Sequence, residues 1–159
     1  MMTTTTTPAA AIRKATADDL AGVEQLLVAS SLPIAGVAEA LGDFLVATHD
    51  GAVVGVVGVE QCSDYGLLRS TAVDAAWRSR GLGRQLVERA IASAEANGLH
   101  ALYLLTTTAE RYFPSFGFAP TTREQVPDVV RQTVEFRGAC PASAVVMVRS
   151  LGEATTRAH

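Results

Sequence analysis

Cysteine is scarce in this chain. The two that occur, Cys62 and Cys140, stand far apart and lack metal-ligand spacing, which excludes a disulfide scaffold and fits free thiols in a cytoplasmic protein. Lysine is rarer still: Lys14 is the only one among thirteen basic residues, and the other twelve are arginine. Arginine suits planar contact with carboxylate or phosphate, and the same bias equally accompanies an alanine-rich, GC-rich coding style. A basic excess is also missing, because the formal net charge is -3; no nucleic-acid partner is expected. No apolar run approaches the roughly eighteen residues a membrane helix needs. The opening MMTTTTTPAAA has neither a basic n-region nor a long apolar h-region, so neither a signal peptide nor a membrane partner is expected. His49 and His100 have no partners at metal-binding spacing, and no metal is expected.

What is present suits one folded unit. With 159 residues, 48% hydrophobic and 18% charged, the chain is long enough to bury a single core, placed here over residues 11–151. Residues 1–10 and 152–159 read as loose tails. A short strand over Ile12–Lys14 precedes a helix from Ala17 to Ala29, signalled by Thr16 as N-cap and by Asp18 and Asp19 in the first turn. A second short helix ends near Gly42. FLVATHDGAVVGVVGVEQC then reads as two strands joined at Asp50-Gly51, and YGLLRSTAVD as a third, giving an antiparallel meander. The period changes between Gly83 and Asn97, where Leu86, Val87, Ala90, Ile91 and Ala94 share one helical face. HALYLLTTT is a buried strand, AERYFPSF a short helix or turn, and GFAP an extended restart. One more short helix begins near Pro127, and SAVVMVRSL is the last strand. Together these make an α/β domain in which a strand, a crossover helix and a parallel neighbour follow the meander.

The stretch RSRGLGRQL, Arg78 to Leu86, lies where the third meander strand gives way to the long helix. Glycines in such a loop leave backbone N–H groups exposed at the positive end of a helix dipole, a site suited to a diphosphate. A Gly-x-Gly also serves simply as a tight turn. The loop is neither a P-loop, having no Gly-Lys-Ser/Thr, nor a dinucleotide fingerprint, since Leu86 stands where the third glycine would be.

The order of the segments adds to this. LLRSTAVDAAWRSRGLGRQLVERAIASA, with Arg78-Ser79-Arg80-Gly81-Leu82-Gly83 followed by RYFPSFGF, resembles the acetyl-coenzyme A signature of the GNAT N-acetyltransferases. YLLTTTAERYF, GF and CPASAVVMVRSL are similar to amino-acid N-acetyltransferases of the N-acetylglutamate synthase type and to small bacterial N-acetyltransferases associated with arsenic resistance. The resemblance implies a mixed, mostly antiparallel sheet, flanked by helices and splayed between two parallel strands. It implies acetyl-coenzyme A as cosubstrate, no metal, and a small amine acceptor, with a toxic or arsenic-containing amino acid as one candidate. It also implies that backbone groups of Ala72 and Val73 hold pantetheine and that amides from Arg78 to Arg84 hold the pyrophosphate. Homodimers are frequent in the family, and one is expected through SAVVMVRSL.

The resemblance further implies a tyrosine acid four residues before the glycine of Gly-Phe, where this chain has Phe113 instead. Phe113 is therefore placed at the cofactor. Tyr112, one residue earlier and about a hundred degrees around a helix, is the candidate acid, with water as the alternative. Glu60 is the candidate base. Arg69, Ser70, Thr106, Thr107 and Arg137 are candidate acceptor residues, Arg69 as a bidentate carboxylate clamp. Strand alternation allows only one of Arg69 and Ser70 to face the acceptor. Cys140 and Thr108 are further wall candidates. The missing tyrosine leaves a second reading, a non-catalytic acyl-coenzyme A sensor.

Overall fold

A computed structural model of the chain describes residues 10–32, 34–78, 81–106, 111–133, 136 and 144–151. Its seven strands are β1 (Ala11–Lys14), β2 (Phe44–His49), β3 (Ala52–Cys62), β4 (Tyr65–Val73), β5 (Ala101–Thr106), β6 (Ala119–Thr121) and β7 (Val145–Ser150). They form one sheet in the order β1-β2-β3-β4-β5-β7-β6, in which only the β4–β5 pair is parallel. The helices are α1 (Leu20–Ala29), α2 (Val37–Ala40), α3 (Leu82–Ala96) and α4 (Asp128–Arg131). The mixed, splayed α/β architecture expected from the sequence is the one observed.

Local chemistry explains the meander. Asp50 and Gly51 both take positive φ, 53° and 80°, as a two-residue turn between right-twisted strands requires. The crossover from β4 to β5 runs through α3, which buries Leu82, Leu86, Val87, Ala90, Ile91 and Ala94. Removing each of the larger of these side chains from water contributes roughly 1.5–3 kcal/mol. They pack on Val57, Leu68, Leu102, Leu104 and Met147, on one face of the sheet. The opposite face carries two clusters. Val23, Leu26, Leu27 and Val37 from α1 and α2 cover Phe44, Val46, Val56 and Ala72. Val126 and Val130 cover Leu67, Ala101, Tyr103 and Val146.

Two details differ from the sequence reading. The helix expected from Ala17 begins as a 3-10 turn over Ala17–Asp19, with α1 proper starting at Leu20. Asp19 is the cause: its carboxylate accepts the Thr16 backbone N–H at 2.7 Å and a bidentate pair of bonds from Arg13 at 2.8 and 2.9 Å, which ties β1 to the start of α1. The second difference concerns β7. It lies between β5 and β6, antiparallel to both, so its backbone is already paired on both sides at Val146–Val148. At these three residues no strand edge is left for pairing with a second copy.

Candidate functional site

The single parallel pair in the sheet is short. β4 and β5 meet at Tyr65–Ala101, Gly66–Leu102 and Leu67–Tyr103, and then pairing stops although β4 continues to Val73 and β5 to Thr106. From Leu68 onward β4 remains paired with β3 on one side, while its other edge faces the gap that opens toward β5. Ala72 and Val73 lie on this stretch.

α3 begins at the same end of the gap. Its N-cap is Gly81, at φ 81°, and no side chain caps the helix, so its first N–H groups are left without an intrahelical or capping partner. Only glycine takes that φ without strain. Gly83 meets a different need: a Cβ there would sit 3.6 Å from Val73 Cγ2 and 3.8 Å from the Tyr112 hydroxyl, filling space that glycine leaves open. Around this terminus is a cavity of about 330 Å³, lined by Val73, Trp77, Arg78, Gly81, Gly83 and Tyr112 among others. Arg78 is exposed and anchored by its Nε to the Val73 carbonyl at 3.1 Å. Arg84 also lines the cavity, and its guanidinium stands 4.7 Å from the Phe116 ring centroid and beside Glu88 at 3.6 Å, so it links α3 to the turn over 113–116. An uncapped helix terminus, a Cβ-free approach and an exposed arginine are what a diphosphate-bearing ligand needs. Ser79 and Arg80 lie outside the described residues.

Trp77 went unrecognised in the sequence. Its signal was there: it is the only tryptophan and directly precedes the Arg78 loop. In the structure its ring leans on that of His49, 5.1 Å between centroids, and it forms part of the cavity wall.

Of the neighbouring aromatics Tyr112 and Phe113, Tyr112 lines the cavity and Phe113 does not. Phe113 is buried in the core with Phe116 and Phe118, which corrects its assignment to the cofactor. Tyr112 is the aromatic that reaches the cavity. The segment Phe113–Phe116 is a 3-10 turn with Pro114 near its start, so counting back from Gly117 by α-helical spacing selects the wrong neighbour. Burial raises the Tyr112 phenol above its ordinary value, against the opposing pull of Arg84. It therefore stays protonated at neutral pH.

On the opposite face, at the gap, β4 carries a bulge. Val56 pairs with Ala72 and Gly58 with Arg69, which leaves Val57 opposite both Ser70 and Thr71, and Ser70 takes φ 60°. The bulge breaks the strand alternation. Arg69 and Ser70 do not point apart, as expected; the Arg69 Nε–H donates to Ser70 Oγ at 3.0 Å. The Arg69 side chain is fully buried, and the carboxylate it meets is Glu60, Nη1 to Oε1 at 3.2 Å. This corrects the picture of a guanidinium open to an incoming carboxylate. Glu60, in the second half of β3, keeps 25% of its side chain exposed. Thr106 is half-buried at the end of β5. Thr107, Thr108, Arg137 and Cys140 lie outside the described residues. No cluster of His, Cys, Asp and Glu suited to a metal ion occurs among the described residues, and none of their helices is long and apolar enough to cross a membrane.

Comparison with known proteins agrees with this geometry. The family described as "Acetyltransferase (GNAT) domain" matches residues 40–120. An amino-acid acetyltransferase from Azotobacter vinelandii is 32% identical over 127 residues, 73% of this chain and 29% of that protein. The chain thus spans under a third of the length of that curated relative. N-acetylglutamate synthase from Neisseria gonorrhoeae, solved with coenzyme A and N-acetyl-glutamate, superposes with a TM-score of 0.77 at 21% identity, over 92% of this chain and 36% of that one. A Mycobacterium tuberculosis protein solved with CoA and NLQ gives 0.75 at 24% identity, over 89% of this chain and 99% of that one. At these identities the solved structures share the fold.

Proposed function

Because the chain belongs to the acetyltransferase (GNAT) domain family, we propose that it is an N-acetyltransferase, moving acetyl from acetyl-coenzyme A to the amine of a small amino-acid-like acceptor. One observation carries this reading: β4 and β5 part after Leu67 and Tyr103, and the uncapped terminus of α3 stands at the mouth of the gap. A pantetheine arm fits that gap, pairing with backbone groups of Ala72 and Val73, while the amides around Gly81–Arg84 hold the pyrophosphate. The names of the curated relatives support an amino-acid acceptor.

In the proposed reaction the acceptor enters from the α1 face, beside Ser70 and Thr106. Glu60, with water, takes a proton from its ammonium, and the neutral amine attacks the thioester carbonyl carbon. A C–N bond forms as the C–S bond breaks. The departing thiolate takes, through water, the excess proton that the attacking amine gives up, since the Tyr112 hydroxyl lies beside Gly83 at the diphosphate end of the cavity. Direct transfer needs no acyl-cysteine, and neither Cys62, buried in the core, nor any metal has a part.

The test is coenzyme A release from acetyl-coenzyme A against a panel of free amino acids, glutamate analogues, phosphinic and arsinic amino acids, polyamines and short peptides. Saturable turnover with one amino-acid class is the expected result and names the acceptor. Tight acetyl-coenzyme A binding with silence across the panel would overturn the enzymatic reading in favour of an acyl-coenzyme A sensor.

A further inference from the structure

Arg69 is the most completely enclosed cation described in this fold, and its partners come from three elements. Nη1 donates to Glu60 Oε1 on β3, and Nε donates at 3.0 Å to Ser70 Oγ in the β4 bulge. Nη2 donates at 2.7 Å to the Ala35 carbonyl between α1 and α2. The guanidinium carbon stands 6.0 Å from the centroid of the Phe44 ring. A buried arginine is tolerated only where its charge and its N–H groups are matched, and its planar fork fixes the directions in which those partners must lie.

Its location gives this arrangement a consequence. Up to the bulge, Arg69 shares a sheet face with Leu67, which belongs to the cluster under α4, while Ala72 belongs to the cluster under α1. Arg69 therefore occupies the boundary between the two clusters, where β4 leaves β5. Among the described residues, the segment it reaches is otherwise held by the Val37 N–H to the Ile34 carbonyl at 3.1 Å and by the buried Val37 side chain. Ile34 is 41% exposed, Gly36 takes φ 80°, and the helix that follows is only four residues long. Without the Arg69 bond the Ala35 carbonyl would lose a charge-assisted partner, and Glu60 would lose the cation that orients its carboxylate.

We propose that Arg69 is the positioning residue of the acceptor side of the cleft, holding Glu60 and the segment Ile34–Gly36 in one arrangement on the β4 bulge. The inference rests on the acetyl-transfer reading only for the part Glu60 plays in it. Arg69 acts through Glu60 and Ala35 and does not itself touch the acceptor.

The test compares Arg69→Met, Arg69→Lys and Glu60→Gln in the full chain. Arg69→Met is expected to leave the KM for acetyl-coenzyme A within twofold, raise the acceptor KM and lower kcat by about tenfold or more. Arg69→Lys, which keeps the charge without the fork, recovers part of the loss. The Arg69→Met/Glu60→Gln double variant is expected to be little worse than the more damaging single one, as coupled residues behave. Hydrogen exchange gives a readout that needs no activity. In Arg69→Met, and to a smaller extent in Arg69→Lys, the amides of Ala35–Val37 exchange faster while those of α3 keep wild-type rates. Additive kinetic effects, or unchanged exchange at Ala35–Val37 in both variants, would overturn the proposal. If Arg69→Met fails to fold, Arg69→Lys alone decides by the same exchange measurement. A wild-type protein that turns over no acceptor would defeat the acetyl-transfer reading, and the exchange data would still decide on Arg69.

Discussion

Gly81 and Gly83 are two residues apart and are glycine for different reasons. At Gly81 the backbone demands it: with φ at 81° an alanine is strained although nothing lies within 4 Å, so Gly81→Ala is expected to lower stability by about 1 kcal/mol in denaturant unfolding. At Gly83 the fold tolerates a methyl group, whose nearest contacts are ordinary van der Waals distances. Gly83→Ala is expected to unfold at the wild-type midpoint or slightly above it and to raise the acetyl-coenzyme A KM severalfold, as steady-state kinetics will show. Tyr112 offers a third test at this scale. Its hydroxyl stands 3.8 Å from where a Gly83 Cβ would be, at the diphosphate end of the cavity, and Tyr112→Phe is expected to raise the acetyl-coenzyme A KM severalfold while kcat stays within about twofold. A kcat lowered about 10²-fold would return the proton to the phenol. The glycine turn before α3 was legible in the sequence because glycine, arginine and a helix start announce themselves locally. The Arg69 network was not, since nothing in LLRSTAV foretells a serine at positive φ; that conformation arises from mismatched pairing with β3.

Among the elements, the join between β1 and α1 depends on one carboxylate. The hydrogen bonds from Arg13 pull the Asp19 carboxyl down to about 2 from 3.8, helped by the Thr16 N–H and opposed by burial. A lowered carboxyl pKa stabilises the fold fully above the unfolded value and loses that contribution as pH falls through the folded value. Asp19→Asn is therefore expected to flatten the loss of thermal stability between about pH 4 and pH 2, followed by a Tm series across that window. At neutral pH the same change costs about 1 kcal/mol, the typical scale of a lost helix-start interaction. Elements whose periods stand out in the sequence were found where the pattern put them: α3 by its apolar stripe, β2 and β3 by the Asp50-Gly51 turn between them. The burial of Phe113 escaped because a 3-10 turn and an α-helix of the same residues present different neighbours to the core. The place of β7 escaped for another reason, since strand order is decided by partners distant in the sequence.

For the molecule as a whole, the sheet separates into two wings joined at three residue pairs, Tyr65–Ala101 to Leu67–Tyr103. Cys62 sits beside that join with Leu67 and Ala101, and burial pushes its thiol up to about 11. In a Cys140→Ser background Cys62 is expected to resist a disulfide reagent at neutral pH and to react at the rate of global opening, so that its labelling slows with any stabilising ligand. Fast labelling of the native protein would show that the wings part locally. The wings also differ in when they can be completed. β1 to β4 pair with strands near them in the chain, whereas the far wing is assembled around β7, the last of the described strands. β6 has no other partner among the described strands. As the polypeptide leaves the ribosome, the first wing can close while the second waits with β5 unpaired on its outer edge until residues 145–150 emerge. During synthesis the half that binds no partner strand is thus the half most exposed to chaperones and to misassociation, and that window ends only when β7 slides between its neighbours.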